Sequence, residues 1–262
     1  MDSVRLEILI PTFGPEGLKR VAAMDLPEIQ GVRYSVCCQS AKSSLPQQLS
    51  ARHDVDVNFI DGVGLSANRN ALLDLASAPL LMFADDDLTL YADGITAALS
   101  VMAENPDIDG ACFQPLDKPH PYPAGSFVLK ARAARRYYAM INEIVFRREA
   151  LLRSGVRFSL LMGINAPYLH SGEDDLFICR VLRKGLRIRY FPIVTYNHPH
   201  ASTGFRTQPP GVLRSRGAVL LSVYPLTALP RMCRLAVMLR QPTLASLKYM
   251  LQGAFYALTH RL

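Results

Sequence analysis

Residues 80–87 read Leu80-Leu81-Met82-Phe83-Ala84-Asp85-Asp86-Asp87, five apolar residues running directly into three carboxylates. A short unbroken apolar run bounded by polar residues predicts a buried strand. The carboxylates sit where that strand must end. Adjacent carboxylates repel one another by about 1 kcal/mol per exposed close pair, and by more where water is excluded. A cation removes this cost. Mg²⁺ and Mn²⁺ take oxygen ligands and often share them with substrate phosphates. The plainer alternative is a solvated acidic turn.

Outward from this stretch, strand and helix patterns alternate. Residues 4–10 form a short apolar strand that should stop at Pro11, and 32–38 and 55–60 read as two more strands. Apolar residues recur at helical spacing over 68–76. A second helix is expected over 95–103, capped by Asp93 and followed by Pro106, and a fifth strand over 108–113. Such alternation predicts an α/β fold with a mostly parallel sheet and helices on both faces. Ligands of such sheets lie at the carboxyl ends of the strands. Both Pro11-Thr12-Phe13-Gly14 and the aspartate triplet fall there.

Residues 114–170 read as irregular, with one strand-like run at 143–146 and a basic cluster of Arg132, Arg135 and Arg136. Ser171-Gly172-Glu173-Asp174-Asp175 then opens a short helix that should reach Lys184, with Gly185 as its C-cap. Residues 186–191 are again strand-like. From about residue 208 the pattern is helical, with breaks expected at Pro225, Pro230 and Pro242. The division expected is a catalytic unit over 1–207 and a basic helical tail over 208–262.

Half of the 262 residues are apolar and 19% are charged, which excludes a disordered chain. The five cysteines form no CxxC pair, and the first twenty residues carry six charges, so reduced thiols in the cytoplasm are expected. The longest charge-free apolar run of the tail is the fourteen residues 217–230, too short for a spanning helix. The net charge of +7 is unevenly placed. Residues 1–175 hold 16 Lys and Arg against 22 acids, whereas 176–262 hold 13 Lys and Arg and no acid. An acid-free segment of that length should attract an anionic surface. Its helices are therefore expected to lie on an anionic membrane, the inner face of the cell membrane. The alternative is that they pack on the catalytic unit.

Three further groups could carry chemistry. A carboxylate of Glu173-Asp174-Asp175 could take a proton from an alcohol, although acids in a first helical turn also suit the helix dipole, and Ser171 with Asp174 resembles a capping box. His198, in His198-Pro199-His200, could complete a metal site with carboxylates or be purely structural. Arg69, at a helix start after a glycine-containing loop, is suited to phosphate or a base edge, or is a surface arginine. The chain has no Walker A loop, GxGxxG, GxSxG or HExxH motif.

Taken in order, these pieces resemble the family 2 glycosyltransferases, whose nucleotide-diphospho-sugar transferase fold is called GT-A. The resemblance runs from Val4 to about Gly204. It rests on Ile10-Pro11-Thr12-Phe13, Gly64-Leu65-Ser66-Ala67-Asn68-Arg69-Asn70, Phe83-Ala84-Asp85-Asp86-Asp87, Gly172-Glu173-Asp174, and His198-Pro199 with Ser202-Thr203-Gly204. It implies a DxD motif of Asp85 and Asp87 holding Mn²⁺ or Mg²⁺ and the donor diphosphate, with His198 as a further ligand. It implies Asp174 as the catalytic base and Thr12 near the nucleotide. The donor-binding residues expected are Pro11, Thr12, Phe13, Gln39, Arg69, Asp85 and Asp86. Many members carry an Asp at the end of the second strand that contacts the nucleotide base. Here that place reads Cys38-Gln39-Ser40, and Gln39 can hydrogen-bond a base edge without carrying charge. The 58 residues from Phe205 match no motif of the family.

The reading that follows is an inverting glycosyltransferase, passing a sugar from a nucleotide-diphosphate donor to a hydroxyl of a saccharide or lipid-linked acceptor in surface polysaccharide or glycolipid synthesis. A nucleotidyltransferase of related fold would need a basic glycine-rich loop, and Phe13-Gly14-Pro15-Glu16-Gly17 has no Lys or Arg. A non-enzymatic module for anionic polymers is the other alternative. The tail lacks the aromatic–basic interleaving of a nucleic-acid binder.

Overall fold

The structure is a computed structural model that describes residues 4–39, 44–118, 121–131, 139–198, 208–239 and 241–262. Ser40, the cluster Arg132, Arg135 and Arg136, the segment from Pro199 through Phe205, and Arg240 lie outside the described residues.

The chain opens with β1 (Leu6–Phe13), α1 (Gly14–Ala22), β2 (Val32–Gln39), α2 (Gln47–Ser50), β3 (Val55–Ile60), α3 (Leu65–Leu75) and β4 (Leu80–Phe83). It continues through β5 (Thr89–Leu90), α4 (Ala92–Glu104), β6 (Gly110–Pro115), β7 (Phe127–Val128), β8 (Ile144–Arg147) and α5 (Arg148–Ser154). The last elements are α6 (Glu173–Arg183), β9 (Ile188–Asn197), α7 (Pro210–Val223), α8 (Ala228–Met238) and α9 (Thr243–Thr259).

All strands join one sheet of order β3-β2-β1-β4-β8-β6-β9-β5, with β7 also paired to β9. β3, β2, β1 and β4 are parallel, and β8 enters antiparallel between β4 and β6, so β6 and β9 run with the first four. The sheet is thus mostly parallel in strand direction, with β5, β7 and β8 reversed.

Side chains alternate across β1. Leu6, Ile8 and Ile10 face a core built with Leu18 and Val21 of α1, Leu49 of α2, and Ile95, Leu99 and Met102 of α4. Leu9, with Leu81 and Phe83 of β4, faces the opposite core, which α3, α5 and α6 cover through Leu72, Leu151 and Phe177. Helices therefore lie on both faces, as the buried apolar strands require.

Several local expectations change. β1 does not stop at Pro11. The Leu9 carbonyl accepts the Ala84 N–H at 2.9 Å, and Pro11 points the same way two residues on, past the last β1–β4 pair. Its missing N–H therefore leaves no ladder bond unmade. Asp93 does not cap α4. The cap position is Tyr91, and Asp93 sits in the first turn without a capping bond. The capping box of Ser171 and Asp174 does not form either, because Gly172 takes the cap position with φ 82° and no side chain caps the helix end. Pro230 lies within the first turn of α8, where proline is tolerated, and does not break it. Gly185 does end α6, with φ 89°. Its N–H bonds the Leu182 carbonyl and the Leu186 N–H bonds that of Val181, which is the Schellman pattern.

The C-terminal helices build a small core of their own from Leu213, Met232, Ala236, Met250 and Ala254. They join the rest through Met162, Leu169 and Leu176 against Ala218 and Ala257. α7 and α9 cross at backbone contact. A Cβ on Gly217 would lie 1.8 Å from the Met250 carbonyl oxygen, and one on Gly253 1.8 Å from that of Arg214. The alternative in which the tail packs on the preceding unit thus holds for its inner faces. No disulfide joins the five cysteines.

Candidate active site

The carboxyl ends of β1, β2 and β4 open on one polar cavity of about 410 Å³. Every residue singled out from the sequence as catalytic, donor-binding or metal-binding lines it: Pro11, Thr12, Phe13, Gln39, Arg69, Asp85, Asp86, Asp87, Asp174 and His198. Asn68 helps form this edge, with Nδ2 donating to the carbonyls of Thr12 (3.0 Å) and Cys37 (2.9 Å), so the ends of β1 and β2 are tied together.

Arg69 is the centre of the site and not a surface residue. It is only 2% exposed. Its Nη1 donates to Asp174 Oδ1 at 2.5 Å and Glu173 Oε1 at 3.2 Å, and its Nη2 to Asp85 Oδ1 at 3.1 Å. The guanidinium also lies over the Phe158 ring, 5.4 Å from its centroid. Burial disfavours its charge, but Asp174, Asp85 and Glu173 outweigh that and hold its pKa above the usual arginine range.

The three aspartates have different surroundings. Asp85 accepts from Arg69 on one oxygen and from Asn142 Nδ2 on the other, at 2.7 Å. Asp86 accepts the Thr12 hydroxyl at 2.5 Å and both arms of Arg20 at 3.1 and 2.7 Å, so it serves as the anchor of Arg20. Asp87 stands apart, with Oδ1 3.4 Å from His198 Nε2.

Arg20 and Asn142 were not singled out from the sequence. Asp86 is 66 residues from Arg20 and Asp85 is 57 from Asn142, and no local pattern marks either partner. Asn165 also lines the cavity, in the left-handed region at φ 66°. Such a backbone is uncommon outside glycine, and asparagine tolerates it best.

Of the acids that open α6, Glu173 and Asp174 line the cavity and Asp175 does not. Asp175 is exposed, beside Arg216 of α7. The Glu173 side chain is 10% exposed and that of Asp174 is 28%, so Asp174 is the more open of the two. Burial pushes the Asp174 carboxyl well above the usual carboxylate range, Arg69 opposes this, and Glu173 and Asp85 add to it. A carboxylate so raised is a better proton acceptor near neutral pH than an ordinary one.

Among the described residues, no three His, Cys, Asp or Glu side chains stand together as a ready-made metal site. Asp87 and His198 still fit part of one. They offer a hard oxygen and an imidazole nitrogen side by side, which suits Mn²⁺ completed by ligand oxygens better than the all-oxygen preference of Mg²⁺. The charge of the cavity points the same way, with two guanidinium groups, Arg20 and Arg69, facing five carboxylates. An anionic diphosphate entering such a cavity needs a counter-cation.

Gln39 presents a free donor. It is 2% exposed and its Oε1 accepts the Gly64 N–H at 3.1 Å, which orients the amide and leaves Nε2 without a partner among the described residues. Phe13, 49% exposed, is its register partner across β1 and β2.

No protein-family model matches the chain, and no curated protein sequence does. Solved structures are similar in fold. S. aureus TarS 1–349 superposes with a TM-score of 0.59 at 15% identity, over 96% of this chain and 72% of that one. Its complex with UDP gives a TM-score of 0.60 at 15% identity, over 83% and 65%. The mannosyltransferase PcManGT from Pyrobaculum calidifontis, in complex with GDP-Man and Mn²⁺, gives 0.54 at 14% identity, over 98% and 76%. The chain spans only 42% of the longer TarS structure. The architecture is the GT-A glycosyltransferase fold, an α/β sheet with helices on both faces and a helical C-terminal tail.

Proposed function

We propose that this chain is an inverting glycosyltransferase of the family 2 type, passing a sugar from a nucleotide-diphosphate donor to an acceptor hydroxyl. One observation carries the reading. Ten residues from separated segments of the sequence converge on a single cavity at the carboxyl ends of the parallel strands. The solved structures of like fold include complexes with UDP, UDP-GlcNAc, and GDP-Man with Mn²⁺.

In this reading the nucleotide base lies at the Phe13–Gln39 corner, its face on the Phe13 ring. The Gln39 Nε2 donor meets a carbonyl oxygen of the base. Uracil and guanine both offer one. The diphosphate lies towards Asp85 and Asp87. Asp85, Asp87 and His198 would hold a divalent cation, which when bound offsets charge on the leaving diphosphate. Asp86 keeps Arg20 at the cavity edge, and Asn142 and Arg69 keep Asp85 in place. Asp174 takes the proton of the acceptor hydroxyl as its oxygen attacks the anomeric carbon from the side opposite the leaving group. Arg69 fixes that carboxylate in position. The acceptor is a saccharide or a lipid-linked sugar, in the synthesis of a surface polysaccharide or glycolipid.

The test is a screen of UDP-, GDP- and dTDP-sugars with Mn²⁺, read as stabilisation against heat and as donor turnover. Donor at 100 times its dissociation constant adds about 2.7 kcal/mol of stability. Asp174→Asn should lower turnover by about 10²–10⁴-fold with donor affinity nearly kept. Greater loss in Asp175→Asn than in Asp174→Asn would move the base by one residue.

A further inference from the structure

We propose that the outward side of the C-terminal helices is a docking surface for an anionic lipid bilayer, entered by the apolar stripe of α9 and held by the basic side chains around it. The observation is a mismatch between the two sides of α9. Its inner side, with Ser246, Met250, Gly253 and Ala257, is buried. The outer side of such a helix should be polar. Instead Leu244, Leu251, Phe255 and Leu258 are 84, 44, 69 and 66% exposed. Their spacing of seven, four and three residues places them in one line along the helix. The 17 residues of α9 make a rod of about 25 Å. Leu244, Leu251 and Phe255 share an open hollow with Lys248. On α8, Val237 and Met238 are also exposed, at 73 and 60%. Single exposed apolar side chains are ordinary on a protein surface, whereas a continuous stripe marks a contact site.

Charge decides the occupant. Residues 176–262 contain 13 Lys and Arg and no acid. Lys248 beside the stripe, Arg234 on α8 and Arg261 beyond α9 are all exposed. A second copy meeting this face with its own would set the Lys248 cations of both copies beside each other, with no acid in residues 208–262 to pair them. A bilayer with anionic headgroups satisfies both features, with apolar side chains at the acyl boundary and cations among the headgroups. Among the described residues no helix is long and apolar enough to cross a membrane, so the contact is one of lying on the surface.

The docked helix would not be a loose tether. α9 crosses α7 at the Gly217 and Gly253 contacts, and α7 holds the loop before α6, where the Ser171 N–H donates to Ser215 Oγ at 3.1 Å. Gly172 lies against the same helix, since a Cβ there would meet Val219 at 2.7 Å. Bilayer contact would therefore hold the segment carrying Glu173 and Asp174 at a set height above the lipid. The docking itself does not rest on the proposed activity.

The experiment is co-sedimentation of the full chain with vesicles of phosphatidylcholine alone, or with about one-third phosphatidylglycerol, at low and high salt. Binding should need phosphatidylglycerol and be released by salt. Leu251→Ser with Phe255→Ser should reduce it more than about tenfold at unchanged melting temperature, since both side chains are exposed. Arg234→Glu with Lys248→Glu should also reduce it more than about tenfold. Equal binding to both vesicles, or none to either, would overturn the proposal. So would binding that survives Leu251→Ser with Phe255→Ser, or a solution dimer that this double variant dissociates, which would make a second copy the occupant.

Discussion

Replacing Arg69 with Met keeps the volume and apolar stem of the side chain and removes its charge. Three carboxylates are then left around a cavity wall with no cation among them. Asp174, Asp85 and Glu173 lie 2.5, 3.1 and 3.2 Å from the guanidinium nitrogens, and the arginine is 2% exposed, so little water can take its place. Removing one partner of a buried ion pair costs about 3–5 kcal/mol. At about 2–4 °C per kcal/mol for a chain of this size, the melting temperature should fall by roughly 10 °C at pH 8. The pH dependence gives a second check. Without Arg69 the folded-state pKa of Asp174, already raised by burial, rises further above its unfolded value. Such groups stabilise the fold below the unfolded pKa and lose that contribution as pH rises through the folded one. The gap between Arg69→Met and the native protein should therefore narrow at pH 5. Thermal unfolding followed by circular dichroism at both pH values measures it. A fall of less than about 2 °C at pH 8, or an equal fall at both, would show that Arg69 is not the charge that balances this cluster.

The rate should report Asp174 directly. Its carboxyl is raised by burial, so the acid limb of kcat/KM should lie above the usual carboxylate range and disappear in Asp174→Asn. Asp87→Asn should abolish Mn²⁺-dependent donor binding in calorimetry and leave the melting temperature unchanged, because Asp87 makes no other ion pair among the described residues. Gln39→Leu removes the free Nε2 donor and should weaken donor binding about tenfold, an effect of about 1.4 kcal/mol. It should also reduce discrimination between nucleotide bases. Unchanged affinity in that variant would take the base away from the Phe13–Gln39 corner.

Much of the fold was legible because local pattern encodes it. Apolar runs such as residues 80–84 announce buried strands, and a hydrophilic end to such a run marks the edge where ligands bind. Hence Pro11-Thr12-Phe13-Gly14 and the aspartate triplet could be placed at one edge of the sheet before any contact was known, whereas Gln39 and Asp174 were proposed from the resemblance to the family 2 glycosyltransferases. The short strands β5 and β7 have only two residues each, too few for any periodicity to show. α1 was missed because Gly14, Pro15 and Gly17 hide a helix whose apolar residues, Leu18 and Val21, pack only once the sheet is present. The antiparallel entry of β8 between β4 and β6 is likewise a property of sheet order, not of residues 144–147.

Residue types and their order along the chain thus sufficed for the α/β class, the acidic strand end and the acid-free tail. The tertiary structure assigned each group its partner. It made Arg69 the bridge between acids 16, 104 and 105 residues away in sequence, and it made Asp86 the anchor of Arg20. It also turned Ser246, Gly253, Ala254 and Ala257 of α9 inward and left Leu244, Leu251, Phe255 and Leu258 outside. The reason is one of range. Hydrophobic period and turn chemistry act over a few residues, whereas an ion pair or a helix face is chosen by whichever distant surface the sheet brings to it.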